Sequence, residues 1–198
     1  MNIGFYIQWN KGSLSAREGN VLGDELIGES MCRVLRKMTG VDSCELYAPN
    51  NLPRRSLDVM VYLNETEPMP QWARRHFLYM QNAYSTGSEK ALENYQRRNY
   101  DGYAFISSRL LQMHKATGLH GIFLPFGVET DLFQPHAPDP RYACEVAYVG
   151  SDIKGRVRSE RYLYPASGFD FALYGNWRLQ PWLRGSPIVG QRIGSAKR

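Results

Sequence analysis

Short apolar segments alternate with amphipathic ones along the first two thirds of the chain. Residues 3–8 form a continuous apolar run that predicts a buried strand, and a glycine-containing loop follows it. Asp24 is predicted as the N-cap of the next segment, which ends near Gly40. The chain therefore begins as strand, loop and helix. The large apolar residues that recur at helical spacing in this segment are Leu26, Ile27, Met31, Val34, Leu35 and Met38.

The same alternation continues to residue 126. Helices are predicted at residues 71–75, 88–98 and 108–117. Strands that alternate with helices pair in parallel through right-handed crossovers, so we expect an α/β fold with a Rossmann-like, doubly wound parallel sheet. The further strands predicted in this part of the chain are residues 44–47, 58–63, 77–81, 102–106 and 122–126.

The sequence predicts two domains of unequal completeness. Residues 1–130 form the predicted Rossmann-like domain, and a linker with three prolines follows at residues 131–142. Residues 143–198 are predicted to begin a second α/β domain, with strands at 144–150 and 169–174. From residue 175 onward, the sequence shows no convincing further strand–helix unit.

Composition and charge narrow the class of protein. The 198 residues are 43% hydrophobic and 22% charged, which is typical of a globular protein and excludes a disordered or collagen-like chain. The net charge is 24 − 19 = +5, and residues 151–198 carry nine Lys and Arg against three acids. The lack of a signal-like start or a long apolar run predicts a cytoplasmic protein whose three cysteines are reduced.

Ligands of open α/β sheets bind beyond the carboxyl ends of the strands, which directs attention to the loops there. Glu18, Gly19 and Asn20 lie in the first loop, where glycine lets the backbone approach a phosphate or sugar. Glu18 or Asp24 is the candidate general base. The glycines of this loop are equally consistent with a long turn, and Asp24 with a helix cap.

Two further loops carry candidate ligand groups. An amide-rich turn after a strand, together with an aromatic side chain from the first loop, suits hydroxyl-rich ligands, although Tyr and Trp are also ordinary packing residues. A basic loop after the first strand of the second domain suits a diphosphate, with a solvated charged surface as the alternative. The residues of the first group are Trp9, Gln81, Asn82 and Tyr84, and those of the second are Gly150, Lys154 and Arg156.

No metal or dinucleotide cofactor is expected from the sequence. The four histidines are far apart without metal-ligand spacing. Neither a glycine-rich dinucleotide fingerprint nor a P-loop is present. Phosphate binding, if it occurs, is therefore expected to depend on basic side chains and backbone donors.

The segment Phe123-Leu-Pro-Phe-Gly-Val-Glu-Thr-Asp-Leu-Phe-Gln-Pro135 resembles the interdomain signature of GT-B glycosyltransferases of the group 1 type. Residues 146–151 and 173–177 are similar to the start of the donor domain in the CgeB-like branch of that family, and Gln81-Asn82 and residues 100–107 are similar to parts of its first domain. The resemblance covers most of residues 1–177.

The resemblance implies transfer of a sugar from a nucleotide-sugar donor to a hydroxyl acceptor, without a resident metal. Trp9, Gln81, Asn82 and Tyr84 would then lie on the acceptor side. Glu18 or Asp24 would accept the proton of the acceptor hydroxyl. The residues that the resemblance places at the donor diphosphate are Gly19, Asn20, Gly150, Lys154 and Arg156.

The chain departs from the family pattern after Trp177, where the donor domain of the family continues to an acidic motif. We therefore expect a truncated form with weak or no activity. A non-catalytic carbohydrate- or nucleotide-binding module is an alternative, and nucleic-acid binding through the basic residues 151–198 is another. The sequence is also compatible with a homodimer formed through an exposed sheet edge.

Overall fold

The computed structural model describes residues 1–13, 23–63, 66–81, 92–93, 96–150, 156–174 and 192–194. The chain divides into two compact units, residues 1–133 and 134–198. Among the described residues, each unit contains a parallel sheet, with six strands in the first and three in the second. The architecture is therefore α/β. Within the described residues, no helix has the length and apolar character that crossing a membrane requires.

All strand pairs in the first unit are parallel, as the alternation of elements predicts. The spatial order of the strands is β2-β1-β3-β4-β5-β6. The chain thus leaves β1 towards one edge of the sheet and returns to build β3 on the other side of β1. The strands are β1 (Asn2–Tyr6), β2 (Ser43–Tyr47), β3 (Leu57–Leu63), β4 (Ala73–Met80), β5 (Gly102–Phe105) and β6 (Ile122–Phe123).

Helices lie on both faces of this sheet. Helix α1 (Gly23–Leu35) packs with Phe5 of β1 in one buried cluster, whereas helix α2 (Ser108–Lys115) packs with Tyr6 in the other. Successive residues of a strand point to opposite faces, so these neighbours in β1 assign the two helices to opposite sides. The first unit is therefore a three-layer arrangement with a core on each side of the sheet.

Helix α1 turns its small residues, rather than its largest ones, towards the sheet. Its buried residues are Glu25, Gly28 and Cys32, while Leu26 and Val34 of the predicted apolar stripe are exposed. A Cβ atom on Gly28 would lie 2.6 Å from Cδ1 of the buried Leu46. The helix approaches β2 too closely for a side chain at that position, and this close packing decides which face is buried.

Two sequence predictions in this unit are wrong. The helix predicted at residues 71–75 is instead the start of β4, because Ala73 pairs with Leu57 and Arg75 with Val59 in the neighbouring strand. Sheet pairing here overrides the helix propensity of Ala and Arg. The cap prediction for Asp24 also fails, since α1 begins at Gly23 and Asp24 lies inside its first turn. Most of the predicted helix 88–98 lies outside the described residues.

The second unit has its own small sheet and core. Strands β7 (Val146–Val149), β8 (Phe171–Tyr174) and β9 (Arg192–Gly194) pair in parallel in that order. Helix α3 (Arg156–Tyr162) connects β7 to β8, and Leu163, Phe171 and Leu173 form the buried cluster. The short strand β9, which pairs with β8, is not predicted by the sequence pattern after residue 175.

Candidate functional site

The strand order of the first sheet reverses beside β1, and this reversal defines where a ligand crevice forms. The connection from β1 leads to β2 on one side, whereas β3 lies on the other side. Loops that leave neighbouring carboxyl ends in opposite directions open a crevice between them. We refer to residues 8–13, together with Glu25, Glu29 and Asn50 that bind them, as the β1-end site.

A buried carboxylate fixes the start of the loop in this site. Glu25, in the first turn of α1, has 2% of its surface exposed. Its Oε1 accepts a hydrogen bond from the backbone N–H of Gly12 at 2.9 Å, and its Oε2 accepts one from the N–H of Ser13 at 2.9 Å. The hydroxyl of Ser13 donates to the same Oε2. Consecutive backbone donors of this kind form a concave anion-binding nest, and here the protein's own carboxylate fills it.

The electrostatics of Glu25 follow from these bonds. Burial raises the pKa of the carboxyl, but the hydrogen bonds from Ser13 and Gly12 and the charge of Lys11 outweigh burial, so its pKa lies below the usual glutamate value. Glu25 is therefore ionised at neutral pH. Because three donors already occupy its oxygens, it is a poor proton acceptor for a bound ligand.

Two further contacts hold the other side of the loop. The N–H of Lys11 donates to Oδ1 of Asn50 at 2.8 Å, and Nδ2 of Asn50 donates back to the Lys11 carbonyl at 2.9 Å. The Lys11 ammonium pairs with Glu29 of α1 at 2.5 Å. Gly12 has φ of +126°, a conformation that side chains rarely allow. The segment from Lys11 to Ser13 is thus held between α1 and the loop after β2.

Trp9 presents an aromatic surface next to this fixed backbone. It follows β1 and has 57% of its surface exposed. Gln81 follows β4 at the same edge of the sheet and is 7% exposed. One strand, β3, separates β1 from β4, so the two carboxyl ends lie about 10 Å apart at the usual strand spacing. The structure therefore brings Trp9 and Gln81 to one edge without joining them in a single cluster.

The remaining residues predicted for this edge are divided between described and undescribed parts of the chain. Asp24 is half-buried in the first turn of α1, directly before Glu25. The other predicted residues lie outside the described residues, and they are Glu18, Gly19, Asn20, Asn82 and Tyr84.

In the second unit, Gly150 directly follows β7. Its N–H donates to the carbonyl of Tyr174 at the end of β8, at 2.9 Å. A Cβ atom on Gly150 would lie 2.8 Å from the ring of Tyr148, so the backbone passes close to that ring. Lys154 lies outside the described residues, and for Arg156 the structure describes the backbone at the start of α3. The basic loop thus begins at the carboxyl edge of its own sheet.

The segment that leaves the first sheet returns to α1. The hydroxyl of Tyr79 in β4 donates to the Leu124 carbonyl at 3.1 Å, and five residues later Glu129 binds Ser30 and pairs with Arg33 at 2.6 Å. Both Ser30 and Arg33 belong to α1. Residues 124–129, which are part of the signature segment, therefore connect the far edge of the sheet to the helix that orders the β1-end site.

Sequence reasoning missed several residues of the site, although Glu25 and Asn50 carry a signal. Glu25 is three residues before Gly28 and seven before Cys32, which places an acid on the face of α1 that packs on the sheet. Asn50 lies in a Pro-Asn-Asn turn that directly follows the neighbouring strand β2. Lys11 and Ser13 have no distinguishing pattern and depend on the fold for their roles.

The site combines a rigid backbone with an exposed indole, which suits stacking against a flat or ring-shaped ligand. In the described part of the chain, no group of three or more His, Cys, Asp and Glu side chains is arranged to hold a metal ion.

No protein-family model matches this chain, and no curated protein is significantly similar to it.

Proposed function

We propose that this chain binds a nucleotide sugar and a hydroxyl-bearing acceptor and belongs to the sugar-transferring GT-B class, with its first unit as a Rossmann-like acceptor-side domain. The observation that carries the proposal is the β1-end site, where a fixed loop and an exposed Trp9 lie at the point at which the strand order reverses. Aromatic surfaces beside hydrogen-bonding groups are typical of sugar sites. The resemblance of residues 123–135 to the GT-B signature supports the same proposal.

In this proposal the two units have different ligands. Trp9 and Gln81, with Asn82 and Tyr84, contact the acceptor in the first unit, and Glu18 or Asp24 accepts its proton. Gly150, Lys154 and Arg156 bind the donor diphosphate in the second unit. Basic side chains and backbone donors stabilise the leaving diphosphate in place of a metal ion.

A non-catalytic binding module is the second candidate function. The observation that favours it is the occupied carboxylate of Glu25, since this acid at the β1-end site serves the loop rather than a reaction. In that case the chain retains ligand affinity and lacks transfer. Both candidate functions therefore predict ligand binding, but only the transferase predicts turnover.

Calorimetric titration with UDP, GDP, ADP and CMP, each with and without a linked sugar, tests the donor part of the proposal. We expect Arg156→Ala and Lys154→Ala to weaken nucleotide binding at least tenfold. Arg158→Ala is the matched control, because it removes the same charge from the same exposed helix. Equal losses in all three variants would indicate non-specific attraction to a basic surface, and steep salt dependence with RNA would favour nucleic-acid binding.

The acceptor part is tested separately. Trp9→Ala is expected to abolish binding of simple glycosides seen by saturation-transfer NMR, while Met38→Ala leaves binding unchanged. Met38 is also exposed and lies beyond the other end of α1. If transfer is detected, one of Glu18→Gln and Asp24→Asn should remove it without changing nucleotide affinity. Binding without transfer in the wild-type chain selects the non-catalytic module.

A further inference from the structure

Helix α1 and strand β2 place two cysteines against each other. Gly28 and Cys32 are one turn apart on the buried face of α1, and Leu46 and Cys44 are two residues apart on one face of β2. The close approach of Gly28 to Leu46 brings the next helical turn onto Cys44. Both cysteines belong to the same buried cluster between α1 and the sheet. Both cysteines are free and 0% exposed.

An independent contact supports this alignment. Arg36 lies one turn after Cys32 on α1, and its Nε donates to the Cys44 carbonyl at 2.7 Å. The backbone N–H of Arg36 also donates to the Cys32 carbonyl at 3.0 Å. Arg36 therefore contacts both cysteines. The end of the helix is fixed over Cys44 by contacts that do not depend on the thiols.

We propose that Cys32 and Cys44 are a reversible disulfide site that links α1 to β2, with a low-molecular-weight disulfide such as glutathione disulfide as the oxidant. The site responds to the thiol–disulfide balance around the protein. It does not depend on the proposed sugar transfer, since it uses only the packing of α1 on the sheet.

The reaction needs no other reactant. The Cys44 thiolate attacks one sulfur of glutathione disulfide, forming a mixed disulfide and releasing one glutathione thiolate. The Cys32 thiolate then attacks the Cys44 sulfur of the mixed disulfide and releases the second glutathione. The protein loses two electrons and two protons; the electrons reduce the glutathione disulfide, and the protons are taken by the two leaving thiolates.

The order of these steps follows from the surroundings of the two thiols. The hydrogen bond from Cys32 lowers the pKa of Cys44, and the nearby Arg36 guanidinium acts in the same direction. The same hydrogen bond, together with burial, raises the pKa of Cys32. Cys44 is thus the attacking group. Exchange proceeds when the end of α1 opens locally, three residues beyond Cys32 at Leu35.

The consequence of oxidation is a covalent link between the helix and the sheet. The same helix carries Glu25, whose carboxylate orders the β1-end site, and Ser30 and Arg33, which bind Glu129. A disulfide at residue 32 therefore restrains the helix that holds both the loop after β1 and the segment that leaves β6. Reduction returns this helix to non-covalent packing alone.

The experiment is an equilibrium of the full chain with glutathione buffers of stepped ratio, quenched by alkylation. Trypsin cleavage at Arg17, Arg33, Lys37 and Arg54 places Cys32 in peptide 18–33 and Cys44 in peptide 38–54. We expect these two peptides to be disulfide-linked, with an effective thiol concentration at least tenfold higher in native protein than in urea-unfolded protein. Equal or lower values in the native protein would overturn the proposal.

Variants and a stability measurement complete the test. Cys144→Ser is the matched control, because Cys144 is half-exposed in the second unit, and it should leave the 18–33 to 38–54 link unchanged. Cys32→Ala should remove the link. In the wild-type chain, the oxidised form should unfold at a higher urea concentration than the reduced form. This follows because a disulfide that forms at least tenfold more favourably in the native protein than in the unfolded protein stabilises the native state. An oxidised form that unfolds earlier, or a link that involves Cys144, would contradict the proposal.

Discussion

Replacing Glu25 by Gln tests whether the buried carboxylate holds the β1-end site. The change keeps the shape of the side chain but converts one acceptor oxygen into an NH2 group. In its best orientation the Gln carbonyl takes the place of Oε2 and keeps both Ser13 donors. The N–H of Gly12 then faces another donor. One donor loses its partner, and two bonds lose their charge assistance.

The magnitude follows from these losses. A buried donor without a partner costs about 1–3 kcal/mol, and a hydrogen bond to a charged group is worth about 1 kcal/mol more than a neutral one. Because water reaches the exposed Gly12, the first loss lies at the low end of its range. We expect Glu25→Gln to lower the free energy of unfolding by about 2–3 kcal/mol. With an m-value of about 2 kcal/mol per molar urea, the midpoint falls by about 1–1.5 M.

Urea unfolding and hydrogen exchange measure this change. The amides of Gly12 and Ser13 should lose protection in Glu25→Gln. Glu29→Gln is the control, because Glu29 lies one turn further along α1 and forms a more exposed ion pair with Lys11. The control should cost less than about 1 kcal/mol and leave both amides protected. Equal effects of the two variants would refute the role assigned to Glu25.

The same reasoning fixes the pH dependence of the effect. The pKa of Glu25 is lowered in the folded protein, so its stabilising contribution is complete above the ordinary glutamate pKa and is lost as pH falls through the folded-state pKa. The stability difference between wild type and Glu25→Gln should therefore shrink in acid. A difference that grows on acidification would contradict an ionised Glu25 in the native state.

Three other variants test the packing around the site. Gly28→Ala should destabilise by about 1–2 kcal/mol in urea, since overlap with the buried leucine of β2 outweighs the better helix propensity. Burial lowers the pKa of His114, so native stability should fall as pH drops below about 6.5, by up to about 1.4 kcal/mol per pH unit; His114→Gln should remove this slope and exposed His120→Gln should not. Glu129→Ala should speed limited proteolysis of the segment around it, whereas Thr130→Ala should not, because Glu129 alone makes the bonds to α1.

The sheet of the first unit is largely predictable because its strands are apolar runs separated by polar loops. The predicted strands at 44–47 and 58–63 match β2 and β3 within one residue. The order β2-β1-β3 is not in this pattern, since strand order depends on which neighbours bury more surface after collapse. The position of the β1-end site is equally hard to predict from the sequence, because the site lies where the strand order reverses.

Helix α1 shows why its buried face is harder to predict than its existence. Large apolar residues indicate a helix correctly, but the face that meets the sheet contains Gly28, Cys32 and an acid. A hydrophobicity count gives Leu26 and Val34 the same weight as Met31 and Leu35, although the first two are exposed and only the last two pack against the buried cluster of the sheet. Close approach selects small residues, and only the packed structure reveals it.

The position of Glu25 also constrains any chemistry at the β1-end site. A general base must accept a proton readily, whereas the bonds from the loop to both oxygens of Glu25 lower its pKa and make it a weaker base. Removing the Glu25 carboxylate would therefore reduce turnover by loosening the loop and would reduce stability in parallel. A base at Asp24 or Glu18 would instead lose turnover alone when replaced by its amide. The ratio of lost turnover to lost stability, compared between these variants, therefore distinguishes the residue that holds the loop from the residue that accepts a proton.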